Sequence, residues 1–192
     1  MDRYWFLTNT TYGTWLPGDQ RGFVGRVWEH REEDDEEERR IEHALHETPY
    51  DANIPKLEMA SQSLMKGSPI LLNKEQAEVV LDQFRETALI RHWELLAISI
   101  MYNHFHIVVG VMGDPKPGKI LGDFKSYATR TLSKKFGAPA SETWWTERGS
   151  KRKIKDEVSL NNRVVYTLYK QPNPLVTWSP GTGLHFGVPP YR

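Results

Sequence analysis

The stretch Ser99-Ile-Met-Tyr-Asn-His-Phe-His-Ile-Val-Val-Gly110 contains two histidines, His104 and His106, separated by one apolar residue. Side chains of a β-strand alternate between its two faces, so both imidazoles lie on one face, about 7 Å apart along the strand. Two imidazoles at this spacing can bind one divalent metal ion. The intervening Phe105 and the alternate residues after it then lie on the opposite face, in a core. A solvated sheet face that carries two histidines by chance is the alternative.

The surrounding pattern predicts an α+β domain. Strands are predicted over 4–12, 93–101, 105–111 and 144–153, and helices over 73–92, 120–136 and 159–170. The order strand, helix, strand, strand, helix, strand matches a ferredoxin-like split βαβ sheet with helices on one face. Because the two long helices would cover that face, the histidine pair is expected on the open one.

Length and composition bound the domain organisation. With 192 residues, the chain is expected to form one domain over 1–178, with a polar and acidic insertion at about 18–72 and a tail over 179–192. Cysteine is absent, which excludes disulfides and a thiolate metal site. No stretch approaches the roughly 20 apolar residues of a membrane span. A soluble cytoplasmic protein is the expectation.

Charge is distributed unevenly, although the formal net charge is zero. Residues 29–47 hold ten acidic side chains and three arginines, a local net charge of −7. Residues 115–170 hold thirteen basic and five acidic side chains, a local net charge of +8. Such asymmetry indicates a half that binds a polyanion. The acidic run 32–38 is interpreted as a solvated segment; shielding of the basic half until DNA displaces it is the alternative.

Several stretches besides the histidine pair belong to one recognisable pattern. They are Trp5-Phe6-Leu7-Thr8, Tyr12-Gly13-Thr14-Trp15-Leu16-Pro17-Gly18-Asp19, Tyr102-Asn103-His104-Phe105-His106, Asp123-Phe124-Lys125-Ser126-Tyr127, Trp144-Trp145-Thr146-Glu147, Gly149-Ser150-Lys151-Arg152, and Tyr166 leading into Gln171-Pro172-Asn173-Pro174-Leu175-Val176. In this order they resemble the REP-associated tyrosine transposases of the single-tyrosine HUH (IS200-like) superfamily, over most of residues 4–178. Tyr102 stands where many relatives carry Pro.

The resemblance implies an activity and a partner. Enzymes of this superfamily cleave single-stranded DNA with a tyrosine hydroxyl, retain a 5′-phosphotyrosine link and use Mg²⁺ or Mn²⁺ bound to the two histidines. The implied substrate is single-stranded DNA with imperfect-palindrome hairpins, and the implied location is the nucleoid. A monomer is expected, with a dimer as the alternative. A domesticated hairpin-binding protein that does not cleave, or a nicking enzyme like a replication initiator or relaxase, are the competing functions.

Three tyrosines are candidate nucleophiles: Tyr127, Tyr166 and Tyr169. Tyr169 lies nearer the apolar seam of the last predicted helix and is interpreted as structural. Tyr166 lies about 200° around the last predicted helix from Val164, away from the apolar seam that anchors this helix. It also occupies the position that the resemblance assigns to the catalytic tyrosine. Tyr127 is the alternative nucleophile, three residues after Phe124 at the edge of a buried stripe, where a packing role is also consistent.

A third metal ligand and a DNA surface complete the predicted site. Relatives supply a polar side chain one helical turn after the tyrosine, where this chain has Lys170; Gln171 is therefore the candidate ligand, with water as the alternative. Basic side chains bind phosphates and aromatic rings stack on unpaired bases. The predicted DNA-binding residues are Lys125, Arg130, Lys134, Arg148, Lys151, Arg152, Lys153 and Trp145. Core packing is the alternative for the tryptophan, and a solvated hairpin is the alternative for the basic cluster at 148–153.

Overall fold

A computed structural model describes residues 1–21 and 53–181, together with the backbone of three short strands at 26–29, 39–42 and 183–185. In chain order its elements are β1 (Arg3–Thr10), β2 (Arg26–Glu29), β3 (Arg39–Glu42), α1 (Pro55–Ser63), α2 (Lys74–Ile90), β4 (Glu94–Ile100), β5 (His104–Val111), α3 (Pro117–Phe136), β6 (Ser150–Ile154), α4 (Glu157–Tyr169), β7 (Val176–Ser179) and β8 (Gly183–His185). The chain divides into two compact units, residues 1–14 with 67–192, and residues 15–66.

The first unit is built on an antiparallel sheet of strand order β6-β1-β5-β4-β7-β8. Strands β1 and β4 both run antiparallel to β5, which lies between them, so they are parallel to each other and split by one strand. This arrangement confirms the predicted α+β fold class. Strands β7 and β8 extend the sheet beyond β4 and were not predicted, since their short segments lack an alternating apolar pattern.

The two long helices cover one face of this sheet, as predicted. Helix α2 starts at a capping box in which Asn73 and Gln76 each bond the other's backbone N–H group. The buried positions of α2 and α3 recur at helical spacing and pack on the core side of β5. At the centre, the ring of Phe84 meets those of Phe105 and Phe124, with centroids 4.9 and 5.2 Å apart.

Helix α4 packs on the other face of the sheet. The carboxylate of Asp156 caps its first turn by accepting a hydrogen bond from the Ser159 N–H group. Leu168 is buried there with Phe6 of β1 and Val108 of β5, in a second and smaller apolar cluster. The face that carries the histidines is therefore partly covered, because α4 has its own apolar seam to bury.

The second unit, residues 15–66, contains α1 and the antiparallel pair β2–β3. The backbone of Gly18 has a φ of +90°, and a Cβ atom there would lie 2.6 Å from the Ile54 carbonyl oxygen. This turn therefore requires glycine. The acidic run 32–38 lies outside the described residues. Within the described part of the chain, no helix is long and apolar enough to cross a membrane.

Candidate active site

The histidine pair lies on the sheet face opposite the main core. In the β1–β5 register His106 is opposite Thr8 and His104 is opposite Thr10. The two imidazole rings are nearly perpendicular, with centroids 5.0 Å apart. Phe105, between them, is fully buried on the other face. Alternation along β5 thus brings both rings together, and two imidazoles this close can bind one metal ion.

Hydrogen bonds orient each ring. The side-chain oxygen of Asn103 lies 2.7 Å from Nδ1 of His104. An amide oxygen only accepts, so Nδ1 carries the proton and the lone pair of His104 is on Nε2. Nδ1 of His106 lies 2.7 Å from the hydroxyl of Thr8. Contacts of this kind fix the ring orientation and tautomer of metal-binding histidines in general.

His106 is held in its neutral form. Its ring stacks on that of Phe6, with centroids 5.2 Å apart and an angle of 18° between the planes. The pKa of His106 is lowered to about 3, chiefly by burial and then by the nearby His104, while a hydrogen bond to Gln171 opposes the shift. Neutral imidazole is the form that binds metals, so this ring is a ready ligand at neutral pH.

Tyr166 of α4 lies beside the pair. Its ring centroid is 5.6 Å from that of His106 and 5.9 Å from that of Phe6. The residue is 39% exposed, so its phenol is accessible from solvent while its ring is anchored. All these contacts are made within one chain. Helix α4 therefore carries an accessible hydroxyl group to the histidine face.

Tyr127 is not brought to this site. It lies on α3, which covers the opposite face of the sheet. The Arg91 guanidinium donates to its hydroxyl at 3.4 Å, and the guanidinium of Arg130 lies 5.2 Å from its ring centroid. The geometry favours Tyr166 over the alternative nucleophile.

Gln171 connects the tyrosine to the histidines. Its Nε2 donates to the backbone carbonyl of Tyr166 at 3.1 Å, and its side chain also hydrogen-bonds to His106. Lys170, one turn after Tyr166, is exposed and ends the helix, so the chain turns and carries Gln171 inward, where it is 7% exposed. Among the described residues no cluster of three His, Cys, Asp or Glu side chains could hold a metal. The available donor set is therefore two imidazoles and one amide oxygen.

The predicted DNA-binding cations are distributed over both faces of the sheet. Arg130 and Lys134 are exposed on α3, and Arg148 is exposed just before β6. In β6, Arg152 pairs with Phe6 and shares the histidine face, whereas Lys151 and Lys153 pair with Leu7 and Trp5, which pack in the main core. Arg152 is thus the member of the β6 cluster nearest in register to the candidate site.

Lys125 lies on α3, as predicted, and makes contacts within the protein that were not predicted. Its ammonium group donates to the backbone carbonyls of Thr146 and Glu147, at 2.5 and 2.9 Å. Burial lowers its pKa to about 8, the charge of Lys151 acts in the same direction, and Glu147 opposes the shift. The observed role of Lys125 is therefore structural: it links α3 to the segment that precedes β6.

The prediction that Trp145 stacks on a base is wrong. Trp145 is 2% exposed and packs edge-on against Phe105, with centroids 5.3 Å apart. Its neighbour Trp144 is also buried, and its indole N–H donates to Ser133. The segment forms only an isolated bridge between Thr11 and Trp145, so the strict alternation of a strand does not apply and both rings point inward.

The sequence reading missed three residues at the site: Phe6, Thr8 and Arg163. Phe6 and Thr8 alternate on β1, so the predicted ferredoxin-like strand order could have placed them beside His106. Arg163 lies one helical turn before Tyr166, and its guanidinium is 5.1 Å from the Phe6 ring centroid. The i, i+3 spacing to the tyrosine was the available signal.

Comparisons with known proteins agree with these motifs. The family described as "Transposase IS200 like" matches residues 65–154, which contain the histidine pair but end before Tyr166 and Gln171. No curated protein sequence matches the chain.

Among solved structures, a REP-associated tyrosine transposase bound to a REP hairpin aligns with 11% identity and a TM-score of 0.46. The alignment covers 86% of this chain and 64% of the transposase chain, so this chain spans less than two thirds of that relative. The family match by itself shows that residues 65–154 are similar to the IS200-like transposases, which confirms over that range the resemblance that the sequence motifs indicated.

Proposed function

We propose that this protein is a metal-dependent single-strand DNA endonuclease and strand transferase that acts at hairpin elements through a 5′-phosphotyrosine intermediate. The observation that carries the proposal is the position of Tyr166, whose ring centroid is 5.6 Å from that of His106. Gln171, hydrogen-bonded to the backbone carbonyl of Tyr166, also interacts with His106. An accessible phenol next to two imidazoles held in fixed orientations is what a tyrosine nucleophile with a metal cofactor requires.

The residues present fit a divalent ion. His104 and His106 would supply imidazole nitrogens and Gln171 its amide oxygen; Mg²⁺ or Mn²⁺ accepts such ligands and keeps water at its remaining positions. When bound, the ion would act as a Lewis acid toward the phosphate that is attacked. The pairing of Asn103 with His104 and of Thr8 with His106 supports this assignment, because it holds both rings in place.

The chemistry assigned to Tyr166 is a transesterification. Its hydroxyl oxygen attacks the scissile phosphorus, its proton passes to water, and a new P–O bond forms. The bond from phosphorus to the 3′ oxygen breaks, and that oxygen takes a proton from water to become a 3′-hydroxyl. A 3′-hydroxyl of another DNA end reverses these steps and releases the tyrosine. One phosphodiester is exchanged for another, so no nucleotide cofactor is needed.

The basic side chains support a DNA substrate. Arg152 shares the histidine face, and Arg148, Lys151 and Lys153 flank it on the same segment. Arginine and lysine bind phosphates without reading sequence, which suits a single strand that leads into the site. Because Tyr166, the histidines and Gln171 lie in one chain, we propose that a monomer is sufficient.

The decisive experiment is a search for the covalent intermediate. The purified protein is incubated with single-stranded hairpins and Mn²⁺ or Mg²⁺, and adducts are separated on a denaturing gel and weighed by mass spectrometry. We expect an adduct that is lost in Tyr166→Phe and in His104→Ala and retained in Tyr127→Phe. Hairpin binding without an adduct under either metal would instead support the non-cleaving hairpin-binding protein, and loss in Tyr127→Phe alone would overturn the choice of nucleophile.

A further inference from the structure

The candidate site contains a cation, Arg163, that has no role in the proposed chemistry. It is half-buried on α4, three residues before Tyr166, and therefore on a neighbouring part of the same helix face. Its guanidinium lies 5.1 Å from the centroid of Phe6, the ring that stacks on His106 and also meets Tyr166 edge-on. Phe6 thus touches the cation, the nucleophile and a histidine.

The charge of Arg163 acts on the histidine pair, and in the described part of the chain no carboxylate neutralises it. Arg163 is one of the groups that lower the pKa of His106, after burial and His104. Within the described residues no acidic side chain forms an ion pair with Arg163. A guanidinium next to a histidine pair and without a carboxylate partner raises the local positive potential, so the site favours an anion.

We propose that Arg163 binds the DNA phosphate that lies between Tyr166 and the histidine pair, pairing its guanidinium with the non-bridging oxygens. The planar guanidinium matches a phosphate group through two parallel hydrogen bonds, which fixes its orientation as well as its position. Phe6 holds the flat face of the guanidinium, which leaves the N–H edge for the phosphate. Negative charge on these oxygens grows during attack, so the same contact stabilises the transition state.

This inference rests on the proposed function only for the identity of the phosphate as the scissile one. Its test therefore has a binding arm and a cleavage arm. Arg163→Gln removes the positive charge but keeps a long polar side chain. Arg163→Lys keeps the charge but lacks the two parallel N–H donors of the guanidinium. Arg85→Gln is the matched control, because Arg85 also lies over an aromatic ring, 5.4 Å from the centroid of Trp178, but on α2, away from the site.

The binding arm uses a fluorescent single-stranded hairpin in EDTA, with affinity measured by anisotropy across a salt series. Each lost phosphate contact lowers the slope of log affinity against log salt by about 0.7 for a single strand. We expect this decrease in slope for Arg163→Gln. The slopes for Arg163→Lys and Arg85→Gln should equal that of the wild-type protein. An unchanged slope in Arg163→Gln overturns the inference whether or not the protein cleaves DNA.

The cleavage arm compares a phosphodiester with a neutral methylphosphonate at the scissile position. We expect Arg163→Gln to form the adduct about a hundredfold more slowly on the phosphodiester, and at the wild-type rate on the methylphosphonate, which has no charge for the arginine to bind. An equal slowing on both substrates would mean that Arg163 only supports the fold and would overturn the assignment. A reduced salt slope with no adduct from wild-type protein would uphold the phosphate contact and refute the proposed cleavage.

Discussion

The side-chain oxygen of Asn103 accepts a hydrogen bond from Nδ1 of His104 at 2.7 Å. This contact joins the first residue of β5 to the residue just before the strand, and it fixes the tautomer of one predicted metal ligand. Asn103 is 9% exposed, so water competes little for the same hydrogen bond. The residue before the histidine therefore matters for the chemistry of the ring and not only for the turn into the strand.

Removal of this acceptor is expected to weaken metal binding. In Asn103→Ala the His104 ring loses the partner that keeps its lone pair on Nε2, and the affinity for Mn²⁺ should fall about 10-fold to 100-fold. Isothermal titration calorimetry measures this directly. Asn103→Asp keeps an acceptor and should bind Mn²⁺ at least as tightly as wild type. Equal affinity in Asn103→Ala and wild type would show that the contact does not orient the ring.

The metal-free protein should lose stability in mild acid. The folded pKa of His106 is about 3 and the unfolded value 6.5, so between these values the unfolded state binds more protons and stability rises with pH. From pH 7.5 to pH 5 this group alone should cost about 2 kcal/mol of unfolding free energy. Urea unfolding in EDTA at both pH values measures it. A pH dependence just as large in His106→Gln would assign the effect to other groups.

Gly149 is expected to tolerate no side chain. A Cβ atom there would lie 2.5 Å from the carbonyl oxygen of Thr8 and 2.7 Å from Cδ2 of Leu121. Gly149→Ala should therefore destabilise the protein by about 1–3 kcal/mol and displace the start of β6, which carries Arg152. Gly122→Ala is the control, since a Cβ there meets nothing within 4 Å. That change removes a helix-interior glycine and should be neutral or stabilising. Thermal denaturation of both variants decides the point.

Trp145 should behave as a core residue. Trp145→Ala should cost about 3–5 kcal/mol of stability, because a large ring leaves the interior beside Phe105. Its indole N–H group has no hydrogen-bond partner among the described residues, so Trp145→Phe removes no hydrogen bond. We expect Trp145→Phe to fold and to bind hairpins within twofold of wild type. A tenfold loss of hairpin affinity in a folded Trp145→Phe protein would restore the stacking role.

The parts of the fold with strong periodicity could be predicted from the sequence. The capping box at Asn73, the buried stripes of α2 and α3, and the alternation around Phe105 are local patterns, and they are sufficient for the order of the split βαβ unit. The short strands β7 and β8 could not be predicted, since each is only three or four residues long and depends on pairing with β4 or with each other. Such pairing has no local signature.

The site could be predicted only where one element determines it. The histidines share a face because both lie on β5, and Tyr166 is exposed because of its position on α4. Which side chains touch across elements is a tertiary property. The ring of Phe6 stacks on His106, and Lys125 donates hydrogen bonds to two carbonyls. Both contacts depend on distances between elements, which cannot be deduced from the spacing of residues along the chain.

Strand β5 contributes to the interior and to the candidate site at the same time. The residues of β5 that face α2 and α3 are fully buried, and the alternate residues carry the imidazoles. A shift of the β5 register by one residue would exchange the two sets, placing both histidines in the hydrophobic interior and Phe105 on the face of the candidate site. Single-residue insertions or deletions within β5 would therefore disrupt the core and the candidate site together, so this strand can change by substitution but not by length.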